Sequence, residues 1–312
     1  MTTTQTSSTS MTPLLWGLLL LLSVLWGGSF FFAEIALGDL PPLTLVLARV
    51  ATGAAFLLLW AAISRQNLQP ILTHWRAFAV MAILNNLIPF TLIFWGQIYI
   101  ASGLAAILNA TTPLFTILLA HFLTSDEKIT WPRATGVMLG FFGVVVMVGP
   151  GLLENFTSDV AAQLAILAAA LSYAFAGIYG RRFRDLNPVA TASGQLCAST
   201  LLFIPLVCLM DQPWNLPLPS LHTWLAVAGI GLLSTAMGYL IFFRILAAAG
   251  ATNLLLVTFL IPVSALVLGI GLLNESLTTE QVLGMGLIAA GLIAVDGRIF
   301  RRQKGNLAPP QS

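Results

Sequence analysis

Long apolar runs, each able to cross a membrane as a helix, dominate this sequence. A hydrocarbon core about 30 Å thick requires roughly 20 apolar residues in a helix. Turn residues, such as those at 38–42 and 211–213, separate the runs. The sequence therefore predicts an all-α integral membrane protein. We expect ten transmembrane helices, numbered 1 to 10, at 14–37, 42–63, 78–100, 102–123, 132–149, 160–180, 188–210, 222–245, 252–273 and 281–299.

Few residues carry charge. Asp, Glu, Lys and Arg make up 8% of the 312 residues, whereas soluble proteins have about 25%. The net charge is only +2, so composition excludes an ordinary soluble enzyme and a nucleic-acid-binding surface. Residues 1–13 are polar and lack Lys and Arg, which predicts a disordered tail and not a signal peptide.

The positions of the basic residues predict the orientation. Apart from Arg49, every Lys and Arg lies at the end of an even-numbered helix or after it, and the loops after odd-numbered helices have none. Since Lys and Arg accumulate on the cytoplasmic side, both termini are expected in the cytoplasm, including the tail at 300–312.

The two halves of the chain resemble each other, at 14–149 and 160–299. Asp39-Leu40-Pro41-Pro42 corresponds to Asp185-Leu186-Asn187-Pro188, Pro113 to Pro262 and Glu127 to Glu275, at spacings of 146 to 149 residues. Each copy has an odd number of helices, so the second copy is predicted to be inverted. Inverted repeats are typical of secondary transporters, whose site lies near the membrane midplane between the repeats.

Several motifs then resemble one family, the EamA-type members of the drug/metabolite transporter superfamily. They are Leu25-Trp26-Gly27-Gly28, Arg49, the run from Ala105 through Pro113 to Glu127, Ala169–Ala174, Pro262 with Glu275, and Gly284 to Gly291. The resemblance implies a central cavity built from helices 1–4 and 6–9, with helices 5 and 10 peripheral. It also implies export or exchange of small organic solutes, often amino acids.

Polar and aromatic residues inside the spans are candidates for the cavity wall. An amide or hydroxyl in hydrocarbon must find a partner, and hydrogen bonding between helices is the alternative to a cavity position. The prolines Pro113 and Pro262 free the carbonyls of Asn109 and Thr258, so they are candidate gating kinks or packing kinks. The candidate cavity residues are Trp26, Arg49, Asn85, Asn86, Asn109, Thr112, Tyr173, Ser234, Tyr239 and Thr258.

Arg49 is the most informative single residue. It lies seven residues inside helix 2, and a guanidinium at that depth marks a pathway or an ion pair. It can pair with Glu34 at an outer gate, meet a substrate carboxylate, or extend toward the outer headgroups.

No motif for intramembrane catalysis or ATP binding is present, so neither an enzyme nor a metal or other cofactor is predicted. Scarce charge disfavours multivalent anions as cargo. The expected function is a secondary transporter of the inner or plasma membrane for neutral or zwitterionic solutes, working by alternating access in efflux or exchange. Its expected partners are a small-molecule solute and the lipid bilayer. The alternatives are a multidrug-type or other metabolite permease that imports, or a channel or scaffold.

Small residues give helices 5 and 10 faces for close packing, at Gly136 with Gly140 and at Gly286 with Ala290. They predict either packing within the chain or a homodimer. Glu127 and Glu275 are expected to anchor the starts of helices 5 and 10.

Overall fold

The computed structural model describes residues 11–125, 128–154, 157–254 and 256–296. Helices joined by turns and short loops make up these ranges, and no strand occurs in them. A short helix, Gln69–Thr73, lies between the second and third long helices. The long helices, labelled α1 to α10, are Pro13–Leu37, Pro42–Ile63, Trp75–Gly96, Ser102–Leu123, Trp131–Glu154, Ser158–Phe183, Pro188–Met210, Leu221–Gly250, Val257–Leu273 and Thr279–Asp296.

The lengths and apolar composition of these helices indicate a multi-pass membrane protein. In the part of the chain that the structure describes, eight helices, α1 to α8, are long and apolar enough to span a membrane. The apolar helices α9 and α10 are shorter. The predicted tails at 1–13 and 300–312 lie almost entirely outside the described residues, as does Glu127.

Local sequence signals account for several helix starts. Thr12, Asn187 and Ser220 each accept a backbone N–H in the first turn of the helix that follows. At the start of α10, the Thr278 N–H donates to Gln281 Oε1 at 3.1 Å, and the Gln281 N–H donates to Thr278 Oγ1 at 3.4 Å. This reciprocal pair is the capping box that its three-residue spacing predicts.

Three spans contain interruptions that hydropathy does not predict. Helix α3 has a π-helical segment at Ile83–Leu87, and α8 has one at Gly229–Met237. The two segments occupy equivalent positions at the spacing of the internal repeat. Helix α4 is broken by a turn at residues 110–111, shortly before Pro113. Residues up to 254 continue helically beyond α8, after Gly250 adopts a left-handed φ of 77°.

The first of two compact units contains α1, α2, α7, α8 and α9 as far as Leu268. Helix α7 packs along α2, and α8 packs against both α1 and α2. Because Asn187 before α7 donates through Nδ2 to Gln66 Oε1 after α2 at 2.8 Å, α2 and α7 run antiparallel. At the α1–α9 crossing, a Cβ added to Gly27 would lie 2.7 Å from Ser264 Cβ.

The second unit contains α4, α5, α6 and α10 with most of α3. Helix α6 packs between α3 and α4. Gly136 lies against Gly291, and Gly143 against Gly284, so α5 and α10 run antiparallel in close contact. These glycine faces are therefore occupied within the chain. Gly286, with nothing within 4 Å of an added Cβ, is exposed, and a homodimer through α10 stays a prediction.

Each unit combines helices from both halves of the sequence. The α1–α8 contact of the first unit corresponds to the α6–α3 contact of the second, with the two halves exchanged.

Acidic residues after odd-numbered helices bind the N-termini of distant even-numbered helices. Asp211, after α7, accepts the Thr44 N–H and hydroxyl at the start of α2, both at 2.8 Å. Asp39, after α1, accepts the Ser220 N–H at 2.8 Å and the Thr223 hydroxyl at 2.6 Å at the start of α8. These bonds, that from Thr223 foremost, hold the pKa of the Asp39 carboxyl below its usual value. A carboxylate there also complements the positive end of the helix dipole.

Glu275 makes the third contact of this kind and corrects an expectation. Its two carboxylate oxygens accept the N–H groups of Ser102 at 2.8 Å and Gly103 at 3.0 Å, at the start of α4. The expectation that Glu275 anchors helix 10 is therefore wrong. Proximity in sequence favours a contact with α10, the next helix. The chain turns after α9 so that the carboxylate instead reaches the start of α4, which comes earlier in the sequence.

Candidate functional site

Arg49 is buried in the first unit, with 9% of its surface exposed. Its Nε donates a hydrogen bond to Thr235 Oγ1 on α8 at 3.1 Å. Thr235 Oγ1 in turn donates to the Ile230 carbonyl, five residues earlier in the π-helical segment, at 2.9 Å. The guanidinium is thus connected to an irregular stretch of backbone at membrane depth, which proteins tolerate where it is buried or lines a cavity.

Two glycines bring α2 and α8 close enough for this contact. A Cβ added to Gly53 would lie 2.8 Å from Thr235 Cγ2, and one added to Gly231 would lie 2.6 Å from Thr52 Cβ. Arg49 and Gly53 are four residues apart on one face of α2, as are Gly231 and Thr235 along α8. The absence of side chains at the crossing allows a threonine to reach the arginine.

Gln195, the repeat counterpart of Arg49, makes a parallel contact. It lies on α7 with 4% of its surface exposed, and its Nε2 donates to the Tyr239 hydroxyl at 3.3 Å. Tyr239 is four residues after Thr235, so it continues the same side of α8. We call Arg49, Gln195, Thr235 and Tyr239 the α8 polar cluster.

Aromatic side chains adjoin this part of α8. Tyr239 stacks on Phe243, with centroids 6.2 Å apart and planes at 18°. Trp26 of α1 packs on Phe242 at 5.5 Å, and a Cβ added to Gly238 would lie 2.6 Å from Trp26 Nε1. The Trp26 ring therefore occupies the space that Gly238 leaves.

The remaining candidates of the first unit lie nearby along the chain. Ser234 is fully buried, and its Oγ has no hydrogen-bond partner among the described residues. Glu34 on α1 and Thr258 on α9 are half-buried. Pro262 lies inside α9, beside the close approach of Gly27, whose added Cβ would lie 2.8 Å from the Ile261 carbonyl oxygen.

A second polar group occupies the π-helical segment of α3 in the second unit. Asn86 is fully buried, and Asn85 donates through Nδ2 to Asn86 Oδ1 at 3.3 Å. Ser172 of α6 donates to the Leu84 carbonyl at 2.7 Å, so α6 satisfies the irregular backbone. Tyr173, next in sequence, packs edge-on against Phe90 at 6.4 Å.

The break in α4 is satisfied locally. The carbonyl of Asn109, which Pro113 leaves without its helical N–H, accepts the Thr112 hydroxyl at 2.7 Å. Asn109 Oδ1 is buried and has no partner within the described ranges. The hydroxyl of Thr112 is therefore used by the backbone, whereas the amide oxygen of Asn109 is not.

Two predicted residues, Arg49 and Tyr239, each bond a residue that the cavity prediction omits, Thr235 and Gln195 respectively. Signals for both exist, because Thr235 follows Ser234 in mid-span and Gln195 is the counterpart of Arg49. In the described ranges, no cluster of three or more His, Cys, Asp or Glu residues could hold a metal ion.

The sequence profile of the EamA-like transporter family matches residues 14–149 and 160–295 of this chain. The chain belongs to the EamA-like transporter family. The family domain is present twice, and the resemblance found in the sequence motifs is confirmed.

Of three relatives of the EamA-like chain, two carry names that call them transporters. It is 26% identical over 287 residues to the uncharacterized transporter YoaV of Bacillus subtilis, covering 90% of this chain and 96% of the relative. It is 27% identical over 305 residues to the uncharacterized inner membrane transporter YedA of Escherichia coli, covering 95% of each. Protein PecM of Dickeya dadantii is 28% identical over 284 residues, covering 89% of this chain and 91% of PecM.

A solved crystal structure shares the fold. It has a TM-score of 0.65 and 19% identity, and the match covers 92% of the EamA-like chain and 97% of the other.

Proposed function

We propose that this EamA-like chain is a secondary transporter of small neutral or zwitterionic organic solutes, amino acids or related metabolites, across the inner or plasma membrane. It works by alternating access, in efflux or exchange. The observation that carries the proposal is the buried α8 polar cluster, in a chain of the EamA-like transporter family whose relatives YoaV and YedA are named as transporters.

The chemistry of the α8 polar cluster favours a solute with one carboxylate. A guanidinium binds carboxylates strongly and in a defined orientation, and Tyr239 and Gln195 add neutral hydrogen-bonding groups. Arg49 brings the only positive charge of the cluster, so a multivalent anion such as a sugar phosphate would lack counter-charges. The aromatic rings of Trp26 and Phe243 favour a partly apolar cargo.

Helix directions support two inverted repeats and ten membrane crossings. Helices α5 and α10 are repeat counterparts and run antiparallel, as do α2 and α7. Counterparts in copies of the same orientation would run parallel. Together with the one-sided distribution of Lys and Arg, this supports cytoplasmic termini and a location of α9 and α10 across the membrane.

Counterflow in proteoliposomes tests the proposal. Vesicles preloaded with one unlabelled solute are given the labelled solute, with neutral amino acids, aromatic amino acids, nucleosides and sugar phosphates tested in turn. We expect saturable exchange of an amino-acid class, lost in Arg49→Ala and retained in Arg76→Ala, which removes an exposed arginine at the start of α3.

Two outcomes contradict parts of the proposal. Flux that does not saturate and shows no counterflow would indicate a channel. Saturable exchange that Arg49→Ala leaves unchanged would remove the α8 polar cluster from the route, although the chain would still be a carrier.

A further inference from the structure

A cleft of about 390 Å³ lies between α3 and α6. Apolar and aromatic side chains form most of its wall, and one charged side chain, Arg182, joins them. The lining residues are Leu84, Phe175, Ile178, Tyr179 and Arg182.

The cleft has an apolar end and a charged end. Helices α3 and α6 are antiparallel, because Gly180 lies near Met81 and Gly96 lies against Ile166. Leu84 is nine residues from the start of α3, about 13 Å along the helix. Arg182 lies in the final 3₁₀ turn of α6, so the charge stands at the end of the span and the apolar wall extends into it.

The guanidinium at the charged end is held in place. Its Cζ lies 3.6 Å from the centroid of the Tyr179 ring, a cation–π contact that orients a planar cation. Arg181 and Arg184 flank it, and Asp185 is the one acidic residue of this segment. Residues 181–185 therefore carry a net positive charge, on the side that the distribution of Lys and Arg assigns to the cytoplasm.

We propose that this cleft binds an acidic phospholipid, with the phosphate on Arg182 and an acyl chain along Leu84, Phe175 and Ile178. An apolar wall about one helical turn from a single guanidinium suits an amphiphile with an anionic head. Basic pockets between helices on the cytoplasmic side bind such headgroups. Apart from Arg182, only the Tyr179 hydroxyl offers a small hydrophilic anion a polar partner among the lining side chains.

Native mass spectrometry of the full chain tests the proposal. The protein is equilibrated in mild detergent with equal amounts of phosphatidylglycerol and phosphatidylcholine that carry the same acyl chains. We expect the wild type to retain phosphatidylglycerol selectively and Arg182→Gln to lower the ratio of the two retained lipids about fivefold. Ile178→Trp, which fills the cleft, should reduce retention although the guanidinium is present.

Arg133→Gln is the matched control, since it removes another exposed arginine on the same predicted side without touching the cleft. Size-exclusion profiles establish that each variant is folded. The proposal is overturned if Arg182→Gln retains both lipids as Arg133→Gln does. It is also overturned if Ile178→Trp has no effect and glycerol phosphate displaces the lipid, because the site would then recognise a soluble anion.

Discussion

Two glycines on α10 allow one substitution to be tested in opposite environments. A Cβ added to Gly291 would lie 2.5 Å from the Gly136 carbonyl oxygen and 2.6 Å from the Gly140 nitrogen. Both neighbours are backbone atoms of α5, so no side chain can turn away. A Cβ added to Gly286 would meet nothing within 4 Å. The change to alanine is chemically identical at both positions.

The two substitutions should therefore change the free energy of unfolding in opposite directions. Gly291→Ala requires α5 and α10 to separate by at least half an ångström for the contact to reach 3.0 Å. Overpacking of this kind costs about 1–3 kcal/mol. Gly286→Ala relieves the poor helix propensity of glycine, worth up to about 1 kcal/mol. Because Gly291→Ala gains the same helix propensity, the difference between the variants is the packing cost, and we expect Gly291→Ala to be less stable than Gly286→Ala by about 1–3 kcal/mol.

Thermal unfolding in detergent, followed by size-exclusion fluorescence, measures this difference. The wild type should lie between the variants, with the melting temperature of Gly291→Ala about 2–6 °C below that of Gly286→Ala. Equal melting temperatures for the two variants would mean that α5 and α10 do not pack through their glycines. A lower value for Gly286→Ala would place a neighbour on the exposed face of α10.

Three further substitutions test the polar contacts. Glu275→Gln should lower thermal stability by about 0.5–2 kcal/mol and speed amide exchange at the start of α4, whereas the exposed Glu280→Gln should leave that exchange unchanged. Hydrogen bonds from Thr223 and Ser220 lower the pKa of Asp39 in the folded state. The stabilisation from Asp39 is therefore complete at a pH above the pKa of the unfolded state, and it is lost as the pH falls through the lowered pKa of the folded state. Asp39→Asn should reduce the difference in melting temperature between pH 6 and pH 3. Thr235→Val removes the acceptor of the Arg49 Nε bond and should weaken counterflow, while Thr235→Ser, which keeps the hydroxyl, should retain it; equal rates in these two variants would contradict a role for the bond.

Local sequence signals predict helix positions well in this chain. The capping box of Thr278 and Gln281 forms as its spacing predicts, and proline begins α1, α2 and α7. These signals act within a few residues and are independent of tertiary packing. Helix α3 begins at Trp75, three residues before the approximate start predicted at 78, because the Trp75-Arg76 segment continues the helix into the expected interface.

The interior of the spans is less predictable. Hydropathy predicts that a segment spans the membrane but does not distinguish an α-helical from a π-helical turn, so it does not reveal the π-helical turns at Ile83–Leu87 and Gly229–Met237. The extra residue in each turn is stabilised by partners far away in sequence, such as the Ser172 hydroxyl on the Leu84 carbonyl.

The candidate site is predicted in part. The cost of a charge in hydrocarbon singles out Arg49 from the sequence alone. Its contact with Thr235 depends on Gly53 and Gly231, which let α2 and α8 approach. A glycine in a sequence does not specify which helix it will face.

The sequence by itself determined that this is a multi-pass membrane protein, where many helices begin, and that the family domain occurs twice. Only the tertiary structure decided that each compact unit combines helices from both halves, and that Glu275 binds the start of α4. The physical reason is that lipid tails are as apolar as leucine. The hydrophobic effect therefore transfers an apolar segment into the membrane but does not select which helices pack against it. Close glycine contacts and a few buried hydrogen bonds make that selection, and both depend on residues far apart in the chain.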